Sequence, residues 1–278
     1  AFFYEITGNG MKAEHFTRPV QIGIINWRGM YTLYCKEVHR FMKVSLQTLA
    51  APVVTSALFM LVFTLALEGR TSAFEDATYM QFLAPGLAMM AVLQNAFANT
   101  SSSLIIGKVQ GNIVDILMPP LGSFELLVAF LFGGITRGVL VGIISITILS
   151  FIGKTGFPHH IVVATAFLLL GSCAMSLVGI LAGIWANKFD SLAAITNFVI
   201  QPLSFLSGTF YSIDRLPDTV ERFAIFNPFF LVIDGFRYGI LGISDSSVLF
   251  GLFVLFILNV ALFITSYYVL ESGYKLKS

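Results

Sequence analysis

The sequence predicts an all-α membrane protein with six transmembrane helices. It adds an N-terminal interfacial amphipathic helix and an outer re-entrant helical hairpin between helices 5 and 6. Three observations carry that expectation. The 278 residues are 56% hydrophobic and only 11% charged, where a soluble domain carries about 25% charge. Five apolar runs, 45–67, 80–106, 161–186, 191–212 and 246–270, contain no Asp, Glu, Lys or Arg. Each is long enough for the roughly 20 apolar residues that a spanning helix needs. A sixth run, 123–151, carries only Glu125 and Arg137. These runs are too long and unbroken for the alternating strands of a β-barrel. The composition excludes an ordinary soluble enzyme and a disordered chain, and Cys35 and Cys173 alone provide no disulfide framework.

Six spans place both termini on one side. With that side taken as cytoplasmic, inner segments hold ten Lys and Arg residues and outer segments hold five, Arg70, Lys154, Arg215, Arg222 and Arg237. The positive-inside bias therefore predicts cytoplasmic termini. The first apolar run begins at residue 45 and is too long for a signal-peptide core, so no cleaved leader is expected. The chain divides into an N-terminal cytoplasmic tail, 1–26, and one transmembrane domain, 27–278. Its net charge of +1 gives no sign of a nucleic-acid partner.

Segment 27–43 reads as a helix. Trp27, Met30, Tyr31, Tyr34, Val38 and Phe41 share one face, and Thr32, Lys36, His39 and Lys43 the other. An aromatic face opposed by basic residues suits the inner headgroup layer, and a helix packed on a partner protein is the alternative. The loop between the second and third spans holds a short amphipathic stretch, Asn112, Ile113, Val114, Asp115, Ile116, Leu117 and Met118, closed by Pro119-Pro120. It reads either as a plain connection or as a docking helix. After the fifth span, the apolar run 223–233 is only 11 residues long, is bracketed by Arg222 and Asp234, and has Asn227-Pro228 in its middle. That length is too short to span and suits a re-entrant element.

Covalent chemistry is not indicated. Gly153-Lys154-Thr155 ends like a phosphate-binding loop, but position 148 is Ile where the first Gly belongs. His159-His160 have no third ligand nearby, so no metal or cofactor site is expected in this chain. Two polar stripes lie within spans: Asn95, Asn99 and Ser103 on the second, and Asn197, Gln201, Ser204 and Gly208 on the fifth. Each reads either as interhelical hydrogen bonding, worth about 0.6–2 kcal/mol per bond, or as the polar wall of a path. Arg137 is costly at mid-membrane. Asn95 or Asn99 can satisfy it, and the sequence leaves open whether it anchors the fold or contacts substrate.

The ordered set of features resembles the permease subunit of type-2 ABC exporters. The resemblance rests on Phe-Leu-Ala-Pro-Gly at 82–86, Gly208, Phe210, Tyr211, Leu216-Pro217, Asn227-Pro228 and Arg237. It implies a homodimer resting on two cytoplasmic nucleotide-binding subunits, in which ATP and Mg would be bound. Residues 112–118 would be the coupling helix and 27–43 the connecting helix. Phe59 and Phe63 on the first span and Asn197, Gln201 and Phe205 on the fifth would line the path. Leu216, Pro217, Asn227, Pro228 and Arg237 would mark the outer hairpin. The implied activity is export of an amphiphilic or glycan- or lipid-linked substrate. An ion-coupled secondary transporter and a membrane assembly scaffold are the alternatives.

Overall fold

The computed structural model describes residues 25–67, 78–212 and 227–275. Among these every regular element is helical. In chain order they are α1 (Trp27–Met42), a π-helical stretch (Leu46–Ala50) continuing into α2 (Ala51–Leu67), α3 (Tyr79–Val109), α4 (Ile113–Leu117), α5 (Ser123–Gly153) and α6 (Ile161–Trp185). There follow α7 (Phe189–Ile195), a second π-helical stretch (Thr196–Ile200), α8 (Gln201–Phe205), α9 (Pro228–Leu241) and α10 (Val248–Glu271). Among the described residues, five helices are long and apolar enough to cross a membrane: Leu46–Ala66, α3, α5, α6 and α10.

The expected fifth span, 191–212, is not a single rod. It is helical through α7, the second π stretch and α8, then leaves the helix at Leu206 and turns at Gly208 with φ +68°. Proline explains the π stretch inside a helix that is otherwise continuous from Phe189 to Phe205. Pro202 has no N–H, and its ring clashes with the carbonyl four residues earlier in a regular α-helix. The chain widens just before it, with the Gln201 N–H reaching back to the Thr196 carbonyl. The first span repeats the device at the same offset, where the Ala51 N–H bonds the Leu46 carbonyl immediately ahead of Pro52. A π turn creates the room that each ring needs.

Helix α3 forms the centre of the bundle and is buried on nearly every side by α2, α5, α6 and α9. Small residues permit that closeness. A Cβ on Gly179 of α6 would lie 2.5 Å from the Phe97 carbonyl oxygen of α3, and one on Gly239 of α9 would lie 2.5 Å from the Ala164 backbone nitrogen of α6. Without a strong hydrophobic drive between helices in lipid, such backbone approach is what holds spans together. Helices α2 and α10 instead present long exposed apolar faces, including Leu61, Val62, Phe253 and Phe256.

Helix α9 takes up the second half of the short apolar run read from the sequence, from Pro228 onward, and continues to Leu241, while residues 223–226 lie outside the described residues. Asn227 Oδ1 accepts from the Phe229 N–H at 3.0 Å, and Pro228 occupies the first helical position, where no N–H is needed. The helix ends at Gly242, whose φ of +77° is a left-handed cap. Carbonyls of Gly239 and Ile240 accept from the His160 and His159 N–H groups, so the buried helix end is satisfied within the protein. Replacing Gly179 by Leu must part α3 from α6. We expect a loss of about 1–3 kcal/mol, seen as a lower unfolding midpoint of the purified protein and reduced membrane levels, with Gly179→Ala intermediate.

Candidate functional site

Four groups of functional residues lie along the bundle. The first is at the end that carries α1 and α4. Ile113 and Ile116 of α4 are buried in a cluster with Leu33 of α1, Leu104 of α3 and Leu126 and Leu127 of α5. Asn112, Val114, Asp115 and Met118 remain exposed, and Leu117 is half-buried. The amphipathic pattern therefore seats one face of α4 on the bundle and offers the other outward.

Helix α1 buries a different face from the one its aromatic residues suggest. Leu33, Glu37 and Phe41 are buried, while Trp27 and Tyr31 are more than three-fifths exposed. Its packing partner is α5, and Glu37 sits against Gly133 of that helix. The Glu37 carboxylate, fully buried, accepts from Ser103 Oγ at 2.8 Å and from Arg40 at 3.0 Å. Arg40 in turn donates to the Asn99 carbonyl at 2.7 Å, to Asn99 Oδ1 at 3.0 Å and to Ser102 Oγ at 3.3 Å. A buried carboxylate with no cation would be severely destabilising, so this set works as a unit. The sequence reading missed Glu37. Its signal was there in the four-residue spacing Leu33, Glu37, Phe41, which places one carboxylate on an apolar stripe with a cation three residues on.

Further along α3, Arg137 of α5 donates to Asn95 Oδ1 at 2.8 Å, and Asn95 Nδ2 returns to the Ala91 carbonyl. Arg137 thus ties α5 to α3, through one of the two asparagines named above.

The first span and the helix from α7 to α8 meet in an aromatic cluster. Phe59 and Phe63 of α2 pack with Phe205 of α8 and with Phe210, the ring centroids lying 4.6–6.4 Å apart. Three of the five expected path residues are therefore brought together. Asn197 and Gln201 are exposed on the same helix and stand outside that cluster.

Arg237 forms the fourth group. It is only 1% exposed, and it gathers residues from four parts of the chain. Its Nη2 donates to the Gly208 carbonyl at 2.6 Å, its guanidinium carbon lies 3.8 Å from the Phe82 ring centroid, and Nη1 is 3.8 Å from Asp234 Oδ1. Asp234 also accepts from the Asp245 N–H at 2.9 Å and from the Ser246 N–H and hydroxyl at 3.0 and 2.7 Å. Burial pushes the Asp234 carboxyl up from its ordinary range, while Arg237 and the Asp245 and Ser246 hydrogen bonds draw it back down. Gly86 completes the contact, since a Cβ there would lie 3.0 Å from the Thr209 carbonyl oxygen. The scattered motif residues Phe82, Gly86, Gly208 and Arg237 are one site in space. Leu216 and Pro217 lie outside the described residues.

The described helices make an apolar bundle of membrane-spanning length whose buried charges join helices, the class of an integral membrane protein. Residues 28–241 match the ABC-2 type transporter family, and the chain belongs to it. It is 36% identical over 254 residues to the inner membrane transport permease YadH of Escherichia coli strain K12, covering 91% of this chain and 98% of that one. It is also 26% identical over 196 residues to nodulation protein J of Rhizobium leguminosarum bv. viciae, covering 69% of this chain and 74% of that protein. The YadH permease of Shigella flexneri shows the same 36% identity. Membership of the family implies association with ATPase subunits and an inner-membrane location.

Arg237→Met removes the cation from Asp234, the bond to Gly208 and the stack on Phe82. It should lower unfolding free energy in detergent by about 3 kcal/mol. Arg237→Lys should recover less than half of that, because an ammonium lacks the planar fork that stacks and bonds at once.

Proposed function

We propose that the chain is the membrane-spanning subunit of an ATP-driven exporter. Two copies form the conduit, two cytoplasmic ATPase subunits bind beneath it, and an amphiphilic or glycan- or lipid-linked substrate moves outward. In this reading both termini are cytoplasmic, the helix from α7 to α8 is the fifth of six spans, and α9 belongs to the outer re-entrant hairpin. ATP and Mg belong to the partner chains.

The observation that carries the proposal is the two-faced α4. Its buried Ile113 and Ile116 share a cluster with α1, α3 and α5, while Val114, Asp115 and Met118 project from it. A push on the exposed face would be delivered to the packed helices through the buried Ile113 and Ile116. Arg40 and Glu37 join α1 to α3 at the same end, so both inner helices would transmit load to the central span. For the push to do work, the ATPase must bind the two conduit states with different affinity. Phe59, Phe63, Phe205 and Phe210 would then flank the path, with Asn197 and Gln201 on the facing surface of the fifth span.

The test uses the exposed face alone. Val114→Asp with Met118→Asp should leave membrane insertion and protein levels unchanged and lower ATPase stimulation in the reconstituted complex by more than about tenfold, since desolvating a new charge at a docking contact costs more than one hydrogen bond. Stimulation equal to that of the unaltered protein would refute the docking assignment.

A further inference from the structure

A cleft of about 360 Å³ opens between the first π stretch with α2 and the middle of α3. Its walls carry Gln47, Thr55, Ser56, Gln94 and Asn95, and no Asp, Glu, Lys or Arg. Amides and hydroxyls of this density are unusual at the depth of an apolar span, where each needs a partner. Asn95 has its partners in Arg137 and Ala91, and the Thr55 hydroxyl donates to the Ala51 carbonyl. The side chains of Gln47, Gln94 and Ser56 have no hydrogen-bond partner among the described residues. Gln94 is half-buried and Ser56 is 6% exposed. Gln47 is presented by the π turn ahead of Pro52. At the far end of the cleft stands Phe59, which is also a member of the aromatic cluster.

We propose that this cleft is a subsite for the uncharged, hydroxyl-rich headgroup of an amphiphile. Unpartnered carboxamides offer both donors and acceptors, which match vicinal hydroxyls. No charged side chain lines the cleft, and the Arg137 guanidinium behind its wall is already held by Asn95 Oδ1, so a buried phosphate or ammonium finds no direct ion partner there. Phe59 supplies a flat face for the C–H side of a sugar ring, and the exposed apolar flank of α2, with Val54, Leu58 and Leu61, accommodates the alkyl tail. The assignment names the substrate class of the transport reading and rests on it.

The test is saturable binding of radiolabelled decyl β-maltoside to the full chain in lipid nanodiscs, below its micelle-forming concentration. Unlabelled decyl β-glucoside should displace it, and decylphosphocholine and decyltrimethylammonium, with the same tail, should not. Gln94→Leu and Gln47→Leu should each weaken binding about fivefold, the loss of one neutral hydrogen bond. Thr55→Val, on the exposed wall, provides a third variant if either glutamine change prevents folding. Equal displacement by decylphosphocholine, or unchanged affinity in the folded glutamine variants, would overturn the proposal. The docking variant Val114→Asp with Met118→Asp separates the two readings. If it uncouples the ATPase while the unaltered protein binds no maltoside, the headgroup assignment alone falls. If maltoside binds through Gln94 but the docking variant stays fully coupled, the subsite stands and the α4 reading falls.

Discussion

A charge can sit inside this bundle only where the protein supplies its partners, and three guanidinium groups join other parts of the chain to α3, with Arg137 tying α5 to it at Asn95. Arg40 reaches α3 at Asn99 and Ser102 and carries α1 with it through Glu37. Arg237 reaches the other end of α3 at Phe82 and carries α9, the end of the helix from α7 to α8 and the turn into α10. Because the alternative in lipid is an unpaired ion, these contacts are directional in a way that apolar packing is not. The small residues of α5, α6 and α9 then let the backbones close around the helix so fixed.

This arrangement leaves two elements with different character. Both the first span and the helix from α7 to α8 carry a π stretch two residues ahead of a proline, and both have largely exposed faces. They meet each other through Phe59, Phe63, Phe205 and Phe210 rather than through ion pairs. A closely packed core of α3, α5, α6 and α9 with two proline-containing helices on its flank is compatible with the conduit proposed above. The tied elements hold the fold, and the aromatic seam is where rearrangement would cost least.

Much of the fold was legible because membrane insertion imposes length and apolarity directly on the sequence. The long helices α3, α5, α6 and α10 begin and end within a few residues of the apolar runs. The run read as the fifth span is helical from Phe189 to Phe205 and then turns at Gly208, an end that hydropathy does not register. The short helix α4, closed by Pro119-Pro120, was visible from local rules of proline placement, whereas Asn227-Pro228 was read as the middle of an element and is the capped start of α9. Pairings across the chain were not. Arg237 was assigned to an outer loop, yet it is buried against Phe82, more than 150 positions away, and only the folded chain shows why those motif residues occur together. Glu37 was hidden by the aromatic face beside it. Burial on α1 follows Leu33, Glu37 and Phe41, because a carboxylate with Arg40 and Ser103 as partners can pack where Trp27 and Tyr31 do not.

The central claim is that this permease does its work only with a separate ATPase bound at the α1–α4 end. Native mass measurement of the complex extracted from its own membranes tests it most directly. The account predicts two copies of this chain with two copies of a nucleotide-binding subunit, hydrolysing ATP as purified. A stable, well-folded monomer, extracted without any nucleotide-binding partner under conditions that preserve other membrane complexes, would contradict it.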